Sequence, residues 1–404
     1  TMTFAPPASC STLRQRVRRR TALWVATSGA ALLTGLAAAA DLTVGPGGTY
    51  ARLADAIAQA RDGDTVLVAP GTYAGDVAVI TQRRLTIRGQ GQRPVLRADG
   101  RHAQGKAILV VRDGEVLIEN LEFRGARVPD TNGAGIRFER GTLTVRNCSF
   151  IDNENGILTG NHGDARLRIE DSLFAQAPDR TGSLDHLLYV GRIAEVTIIG
   201  SRFHQGRTGH LIKSRAKVSR ISYNLIADGP LGQASYEVDL PQGGLAVLIG
   251  NVIAQGAHSQ NPVVVAFGAE GPAWPGSALY MAHNTLVNER LGGAWFLRVW
   301  RDKLPANTPV HLVNNLSVGP GLFTWGLADG ATTQAGNAAA VINPLTGPAD
   351  LPYRLPPGSM LRGKGVRPGA PDGMDLRPVA EFIWPIGTRP LVEPPTWSPG
   401  AFQP

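Results

Sequence analysis

The sequence predicts an all-β fold: a single right-handed parallel β-helix with three strands per turn and an N-terminal capping helix. One observation is a recurrence, because the blocks HLLY, HLIK and YEVD begin at His186, His210 and Tyr236, which are 24 and 26 residues apart. A period of roughly 20 to 30 residues is typical of a solenoid. A second observation is the composition, because 49 glycines with only 6% aromatic residues suit many short strands joined by tight turns.

Residues 1–40 are predicted to form a cleavable signal peptide. Five arginines between positions 14 and 20 precede an uncharged, mostly apolar run, and the alanines at 38–40 offer a small-residue cleavage site. An uncleaved membrane anchor is the alternative, and the pair Arg19-Arg20 also allows a twin-arginine signal. We expect the leader to be removed and the mature protein to be periplasmic or secreted, without membrane contact.

Charge and cysteine content limit the classes of partner and of stabilising bond. The chain is formally +8, and the five leader arginines account for five of these charges, which leaves +3 for the mature part. So small an excess indicates no nucleic-acid partner. With Cys10 in the leader, Cys148 stands alone inside a strand pattern, so we expect no intrachain disulfide and a buried structural thiol. We expect a monomer.

The mature chain opens with a short amphipathic helix. Its apolar stripe, at helical spacing, consists of Leu53, Ala54, Ile57, Ala58 and Ala60. The turn at 62–64 ends the helix, and a strand is predicted at 65–69. A helix that precedes a solenoid can cover its open end, so we interpret this one as the N-terminal cap.

Strand phrases of one recurring form follow the helix. Each has an alternating strand, a bend at an Asn, Asp or Gly and a second short strand, and then a polar turn and a third short strand. The bend needs a residue that tolerates positive φ or bonds its own backbone, and stacked asparagines are expected to form an amide ladder there. The phrases, which predict eight or nine turns, span 85–89, 116–123, 143–150, 167–174, 196–203, 221–226, 247–253, 279–286 and 310–318.

The helix, the passage GDTVLVAPGTY at 63–73 and phrases such as LTVRNCSF at 143–150 resemble the pectate-lyase-like superfamily of β-helix proteins, over roughly residues 41–345. The resemblance implies an interior filled by apolar side chains, so that function lies on an outer face or in loops.

The last region, 346–404, is rich in proline. A linker tail is one interpretation. A segment packed on the β-helix is favoured, because the region carries the large apolar residues Phe382, Ile383, Trp384 and Trp397.

Alternation along the third strands predicts which side chains of the recurring blocks face outward. With Leu188, Ile212 and Val238 pointing inward, six side chains point outward. They are Tyr189, Leu211, Lys213, Arg215, Glu237 and Asp239. Two columns across neighbouring turns follow, one of Tyr189, Lys213 and Asp239, and one at the corner where the strands begin, of His186, His210 and Tyr236. A register error of one residue would exchange the two faces.

Lys213 stands out as a candidate catalytic base. Lysine is rare, with five residues among 40 cations, and Lys213 lies within a strand between turns that carry histidines. The resemblance to the pectate-lyase-like superfamily implies β-elimination from a uronic acid as one candidate reaction. It needs a base near the working pH, a cation that neutralises the carboxylate and a proton donor for the leaving oxygen. Arg215 or Arg192 would hold the carboxylate, and His210 or Tyr236 would donate the proton. The residues predicted to bind substrate are His186, Tyr189, Arg192, Glu237, Asp239 and Glu270.

The block Leu211-Ile-Lys213-Ser214 is similar to the strand that carries the catalytic lysine in the lyases related to chondroitinase B and alginate lyase. The resemblance implies a polysaccharide lyase for an acidic polymer, with Lys213 as a catalytic residue. Those enzymes place an arginine on the following turn, where this chain has Asp239 or Gln242, and their calcium-binding Asn and Glu pattern is not evident. We therefore expect no cofactor, with a divalent cation such as calcium left open.

Other functions stay open. Glu237, Asp239 and Glu270 are candidate carboxylates for a glycoside hydrolase, and a non-catalytic scaffold that binds glycan needs no such set. His186 and His210 could bridge a metal ion as stacked neighbours, but two hydrogen-bonded turn histidines are favoured, since no HxH or HxxxH spacing occurs, and we expect no metal site. Four tryptophans are candidates either to stack on sugar rings or to pack loops against the β-helix: Trp274, Trp295, Trp300 and Trp325. The concentration of polar residues on adjacent turns favours an enzyme, with a lyase first.

Overall fold

The computed structural model describes residues 39–179, 184–327 and 330–404. The predicted signal peptide at 1–40 therefore lies almost wholly outside the described residues. Within the described ranges, no helix has the length and apolar character needed to cross a membrane. The helices in these ranges are one α-helix, Leu53–Gln59, and two short 3-10 helices, Arg301–Lys303 and Pro371–Gly373.

The α-helix Leu53–Gln59 packs against the first strands at the N-terminal end of the core. Leu53, Ala56 and Ile57 are buried and belong to the same apolar cluster as the strands that follow. The start of the helix is stabilised from a distance, because the carboxylate of Asp76 accepts the backbone N–H groups of Leu53 at 2.6 Å and Ala54 at 3.0 Å. The predicted helix is confirmed, but its buried face includes Ala56, whereas Ala58 of the predicted stripe is exposed.

Three parallel sheets, which we call A, B and C, form the faces of the molecule. In the described part of the chain they hold twelve, eleven and ten strands respectively, which makes about ten turns. The chain passes from A to B to C in each full turn, and each strand pairs with the equivalent strand one turn along. The predicted parallel β-helix is confirmed, with slightly more turns than the strand phrases predict.

The strands of each sheet follow the chain in order. Sheet A consists of Asp41–Val44, Thr65–Val68, Arg84–Gly89, Glu115–Glu119, Thr142–Arg146, Arg166–Glu170, Glu195–Ile199, Val218–Ser222, Leu245–Ile249, Ala278–Ala282, Val310–Val313 and Thr332–Ala335. Sheet B consists of Thr72–Ala74, Val95–Arg97, Glu122–Arg124, Ser149–Ile151, Leu173–Ala175, Arg202–His204, Leu225–Ala227, Val252–Gln255, Thr285–Asn288, Leu316–Val318 and Ala338–Ala340. Sheet C consists of Ala78–Ile80, Ala107–Val111, Ala134–Phe138, Asn155–Thr159, His186–Val190, Ile212–Ser214, Val238–Leu240, Val263–Phe267, Ala294–Val299 and Gly321–Trp325.

The bend between sheets A and B uses two adjacent positions, where the sequence predicts one. The first position adopts positive φ, as at Asn120, Asn147 and Gly200. In the later turns the second position carries an amide, and each side-chain N–H donates to the next amide oxygen at 2.9–3.0 Å. The ladder consists of Asn224, Asn251, Asn284, Asn315 and Asn337. The predicted ladder is confirmed, but its asparagines follow the positive-φ residue rather than supply it.

In an earlier turn the second position of the bend is occupied by Cys148. The thiol is fully buried, and burial raises the pKa of Cys148 to about 12. A thiol with this pKa stays protonated at neutral pH and is not a nucleophile. The prediction of a buried structural thiol is confirmed.

Phenylalanine rings form a stack inside the core of the first half. The centroids of Phe123, Phe150, Phe174 and Phe203 are 5.0, 4.6 and 4.7 Å apart, and the rings are nearly parallel. Gly156 on sheet C leaves room for this stack, because a Cβ there would lie 2.6 Å from the ring of Phe174. Each ring ends one of the predicted strand phrases, so the period of the sequence places the rings directly above one another.

Residues 341–404 run along the outside of sheets A and B. Leu351, Phe382 and Phe402 pack on Leu225 and Val252 of sheet B. On sheet A, Leu376 belongs to a separate buried cluster that includes outward-facing residues of that sheet. The segment also forms a small antiparallel sheet of its own, in which Ala380–Phe382 pairs with Thr388–Pro390.

Candidate functional site

The outer face of sheet C brings together polar residues of the three recurring blocks. Tyr189 pairs with Lys213, and Lys213 pairs with Asp239, in the parallel register of three consecutive strands. Neighbouring parallel strands lie about 4.8 Å apart, so the three residues form one column. The column predicted from the repeat is confirmed.

A second column lies at the start of the same strands. The ring centroids of His186 and His210 are 4.9 Å apart, and those of His210 and Tyr236 are 4.8 Å apart. The Nδ1 atom of His186 accepts the backbone N–H of His210 at 2.9 Å, so this nitrogen carries no proton. Burial, together with the charges of His210, Lys213 and Arg215, lowers the pKa of His186 well below its ordinary value. The ring of His186 is therefore neutral at neutral pH, with its proton on Nε2.

Lys213 lies between two carboxylates. Its Nζ atom is 3.4 Å from Oδ2 of Asp239 and 3.6 Å from Oε1 of Glu270, and its side chain is 14% exposed. The same Oδ2 atom of Asp239 is 3.3 Å from Nε2 of His210. The other oxygen of Asp239 has no hydrogen-bond partner in the described part of the chain. Asp239 thus links the two columns below the surface.

Glu270 reaches the site from the connection 268–277 and forms a two-point ion pair with Arg215. Its Oε2 accepts Nε of Arg215 at 2.9 Å, and its Oε1 accepts Nη2 at 2.5 Å. Gln242 donates Nε2 to Glu270 at 3.3 Å and accepts Nε of Arg192 at 2.8 Å. Burial alone would raise the pKa of Glu270, but the hydrogen bonds and charge of Arg215 outweigh it and lower that pKa.

Two further contacts fix the position of Arg215. Its Nη1 donates to the hydroxyl of Tyr189, and its Cζ lies 5.2 Å from the centroid of the Tyr189 ring. The indole N–H of Trp274 donates to the backbone carbonyl of Arg215 at 2.9 Å. The guanidinium is therefore pre-oriented, with two of its nitrogens directed at a carboxylate.

A groove with a volume of about 460 Å³ runs along this face of sheet C. Four of the predicted site residues line it: His186, Tyr189, Lys213 and Arg215. His210 and Asp239 lie next to this lining, through their contacts with His186 and Lys213. Tyr236 stacks behind His210, and burial with the charge of Asp239 raises the pKa of Tyr236.

Sequence reasoning missed the groove residues that come from earlier turns. They are Thr131, Asn132, Arg137, Asn155, Thr159 and Asn161. The register of the strands identifies one of them, because Arg137 pairs with Leu158 and Leu158 pairs with Tyr189. Arg137 therefore extends the outward column by two turns, and the recurrence of the strand phrases was the signal that could have found it.

The predicted outward positions of Leu211 and Glu237 are wrong, because both side chains are fully buried. Each residue directly precedes an inward-pointing residue that begins a three-residue strand, Ile212 or Val238. Alternation holds within a strand, but the chain turns at this corner, so two consecutive side chains enter the interior.

Glu237 is an acid inside the core rather than a substrate-binding residue. Its Oε1 accepts the hydroxyl of Ser259 at 3.2 Å, and its Oε2 has no hydrogen-bond partner among the described residues. Burial, with the charge of Asp228 adding to it, raises the pKa of Glu237 well above its ordinary value. Its carboxyl group does not reach the groove.

Three of the four candidate tryptophans, Trp295, Trp300 and Trp325, lie at the C-terminal end of sheet C. The ring centroids of Trp295 and Trp325 are 5.7 Å apart. Arg298 places its Cζ 4.8 Å from the ring centroid of Trp295 and 4.4 Å from that of Trp300. Of the four candidate tryptophans, Trp274 contacts the residues of the groove through Arg215.

No group of three or more His, Cys, Asp or Glu side chains is arranged to hold a metal ion within the described ranges. The candidate pair His186 and His210 is joined by a hydrogen bond that uses Nδ1 of His186. That nitrogen is not available as a ligand in this arrangement.

A scan against protein-family models finds no match to this chain, and a search of curated proteins finds none. Among solved structures, the crystal structure of pectate lyase Pel9A is similar, with a TM-score of 0.62 and 14% sequence identity. The match covers 91% of this chain and 97% of that protein. At this identity the likeness concerns the fold, and it confirms the resemblance found in the sequence at that level. The chain has the pectate-lyase-like right-handed parallel β-helix fold.

Proposed function

We propose that this protein is a polysaccharide lyase that cleaves an acidic, uronic-acid-containing polymer by β-elimination. The observation that carries the proposal is the position of Lys213, which lines the groove one turn from Tyr189 and beside the oriented cation Arg215. A base, a hydroxyl and a fixed cation are the groups that this reaction needs. The structurally similar protein is a pectate lyase, and its name supports the same class of reaction.

In the proposed reaction Lys213, in its neutral form, takes the proton from C5 of a uronic acid. The electron pair of the C–H bond forms the C4=C5 double bond, and the bond from C4 to the glycosidic oxygen breaks. A proton from the enzyme then completes the hydroxyl of the departing sugar. A guanidinium beside the carboxylate stabilises the negative charge that develops when C5 loses its proton. One chain becomes two, and no water is consumed.

Tyr189 is the proposed proton donor. It lies in register with Lys213 on the next turn, and its oxygen accepts a hydrogen bond from Arg215, which leaves its own proton to donate. His210 and Tyr236, the donors that the sequence favours, stack on each other beside the residues that line the groove. The Nε2–H of neutral His186 adds a second donor in the groove.

A glycoside hydrolase is the second candidate, because two carboxylates flank the Nζ atom of Lys213. Asp239 and Glu270 lie 3.4 and 3.6 Å from the same Nζ atom, so the two carboxylate oxygens are at most about 7 Å apart. Catalytic carboxylates of glycosidases are separated by about 5 to 9.5 Å. A general acid needs a raised pKa, however, and hydrogen bonds from Arg215 outweigh the effect of burial and lower the pKa of Glu270. The lyase is therefore preferred.

Product analysis separates the candidate functions. The protein is incubated with a panel of uronic-acid and neutral polysaccharides, and both ultraviolet absorbance and reducing ends are followed. A product with the absorbance of a C4=C5 double bond supports the lyase. Reducing ends without that absorbance support the hydrolase, and glycan binding without any product supports the scaffold.

Lys213→Ala is expected to lower turnover about 100- to 10,000-fold, the usual effect of losing a general base. The variant should keep the fold, because Lys213 lies outside the apolar core, but loss of the ion pair with buried Asp239 should lower its stability. The matched control is Lys217→Ala, which removes an exposed lysine four residues later and should keep near-normal activity. If Lys213→Ala is as active as this control while Asp239→Asn is inactive, the hydrolase replaces the lyase.

We also propose that the protein acts as a monomer outside the cytoplasm, after removal of residues 1–40. The support for export is the basic and then apolar pattern of the leader. N-terminal sequencing of the exported protein should begin at Asp41, and a mature chain that retains the leader would overturn this proposal.

A further inference from the structure

We infer that the donors gathered around Glu270 are the subsite for the substrate's carboxylate, and that Glu270 fills this subsite when substrate is absent. The inference deepens the proposed function and rests on it, since it takes the ligand to be a uronate.

Donor atoms from three side chains converge on the single carboxylate of Glu270. Arg215 supplies Nε at 2.9 Å and Nη2 at 2.5 Å, Gln242 supplies Nε2 at 3.3 Å, and Nζ of Lys213 lies 3.6 Å away. The planar fork of a guanidinium matches a carboxylate at two points. The carboxylate of a uronic acid has the same charge and shape as that of Glu270, so the same donors fit it.

The position of the subsite suits the proposed elimination. In a uronic acid the carboxylate carbon is bonded directly to C5, which carries the proton that leaves. A uronate carboxylate in place of that of Glu270 would therefore bring C5 close to Nζ of Lys213. Arg215 also reaches the hydroxyl of Tyr189, so one guanidinium connects the carboxylate to the proposed proton donor.

Glu270 is built to leave the subsite by rotation of its side chain. The side chain is 37% exposed, so a change of rotamer can move the carboxylate from the donors into solvent. The backbone is held in place, because the N–H of Glu270 donates to the carbonyl of Pro241 at 2.7 Å and Trp274 is bonded to the backbone of Arg215. The exchange also preserves the charge of the site, since one carboxylate replaces another.

When an internal group occupies a site, the apparent affinity for an external ligand is the intrinsic affinity multiplied by the fraction of molecules whose site is free. With Glu270 in the subsite in about 90 to 99% of molecules, its removal tightens binding about 10- to 100-fold. The effect should be confined to ligands that carry the carboxylate.

The test compares Glu270→Ala and Glu270→Gln with the wild type by calorimetric titration of uronate trisaccharides. The probes are trimers of galacturonate, mannuronate and glucuronate, each with its methyl ester as the neutral ligand. Both variants should bind the preferred acid at least about 10-fold more tightly and its ester unchanged. The matched control is Glu170→Gln on sheet A, where the carboxylate likewise pairs with two cations, here Arg146 and Arg168. This variant should bind like the wild type.

Equal or weaker binding of every acid trimer by both Glu270 variants, or no binding of any trimer to any form, overturns the subsite. Turnover is measured separately, so the two proposals fail independently. If a polymer is cleaved by elimination while removal of Glu270 does not tighten binding, the lyase stands and the subsite is wrong. If no polymer is cleaved while Glu270→Ala tightens binding of an acid trimer, the subsite stands and the lyase is wrong.

Discussion

Replacement of Asn251 by alanine tests how much the amide ladder contributes to stability. Asn251 is fully buried. Its Oδ1 accepts the backbone N–H and the side-chain Nδ2 of Asn224, both at 3.0 Å. Its Nδ2 donates to the carbonyl of Ile221 at 2.8 Å and to Oδ1 of Asn284 at 2.9 Å. Alanine removes these four hydrogen bonds together.

The four bonded groups are not affected equally. Nδ2 of Asn224 keeps its hydrogen bond to the carbonyl of Ile198. Oδ1 of Asn284 still accepts the backbone N–H at position 251, which the substitution does not remove. Of the four groups, the backbone N–H of Asn224 is left unsatisfied, whereas the carbonyl of Ile221 still accepts the backbone N–H of Ile249 in the parallel ladder. An unsatisfied buried group costs roughly 1–3 kcal/mol, and a lost bond whose partner stays satisfied about 1 kcal/mol. We therefore expect Asn251→Ala to lower the free energy of unfolding by about 4 kcal/mol or more.

Equilibrium urea unfolding followed by far-ultraviolet circular dichroism measures this change. The control is Asn337→Ala at the half-buried end of the ladder, where water can replace the lost amide, and we expect a loss of about 1 kcal/mol. Fluorescence is followed in parallel, because a solenoid can unfold in parts and only coincident transitions justify one free energy. A loss for Asn251→Ala no larger than that for Asn337→Ala would contradict the reasoning.

Two further predictions concern the core. Burial raises the pKa of Glu237, so its contribution to stability is complete below the unfolded value near 4.5 and is lost as the pH rises towards the folded pKa. In that window the stability of Glu237→Gln relative to wild type should increase by up to about 1.4 kcal/mol per pH unit, and urea titrations that show parallel pH profiles would refute this. Phe174→Ala removes a ring stacked between Phe150 and Phe203 and should cost about 3–5 kcal/mol in the same assay; a loss under about 1 kcal/mol would contradict the stacking argument.

The sequence was most informative where the structure repeats. Phe123, Phe150, Phe174 and Phe203 occupy the same place in successive strand phrases, and parallel pairing then places them in one column. The same reasoning gave the pairing of Tyr189 with Lys213 and of Lys213 with Asp239. A parallel strand has a fixed spacing to its neighbour, so once the period is known the columns follow without any knowledge of loops.

Alternation was less reliable than register. The strand Ile212–Ser214 has three residues, so the inward and outward pattern extends over very little chain before the corner intervenes. Leu211 lies just outside that strand, and its apolar character was a better guide to burial than its predicted direction. The residue type of Glu237 did not indicate burial, because a carboxylate is expected to be charged and exposed. Its burial is possible because its raised pKa favours the neutral acid.

The contact that organises the candidate site could not be obtained from the period. Arg215, Gln242 and Glu270 follow their strands of sheet C by one, two and three residues. The connections after the first two strands are three and four residues long, whereas 268–277 has ten residues and carries Glu270 back to Arg215. Adjacent strands alone place backbones about 4.8 Å apart, while a two-point ion pair needs donor and acceptor atoms within about 3 Å. A connection longer than its neighbours supplies that approach, so the length of 268–277 is the feature of the sequence that should direct the search for charged partners on this face.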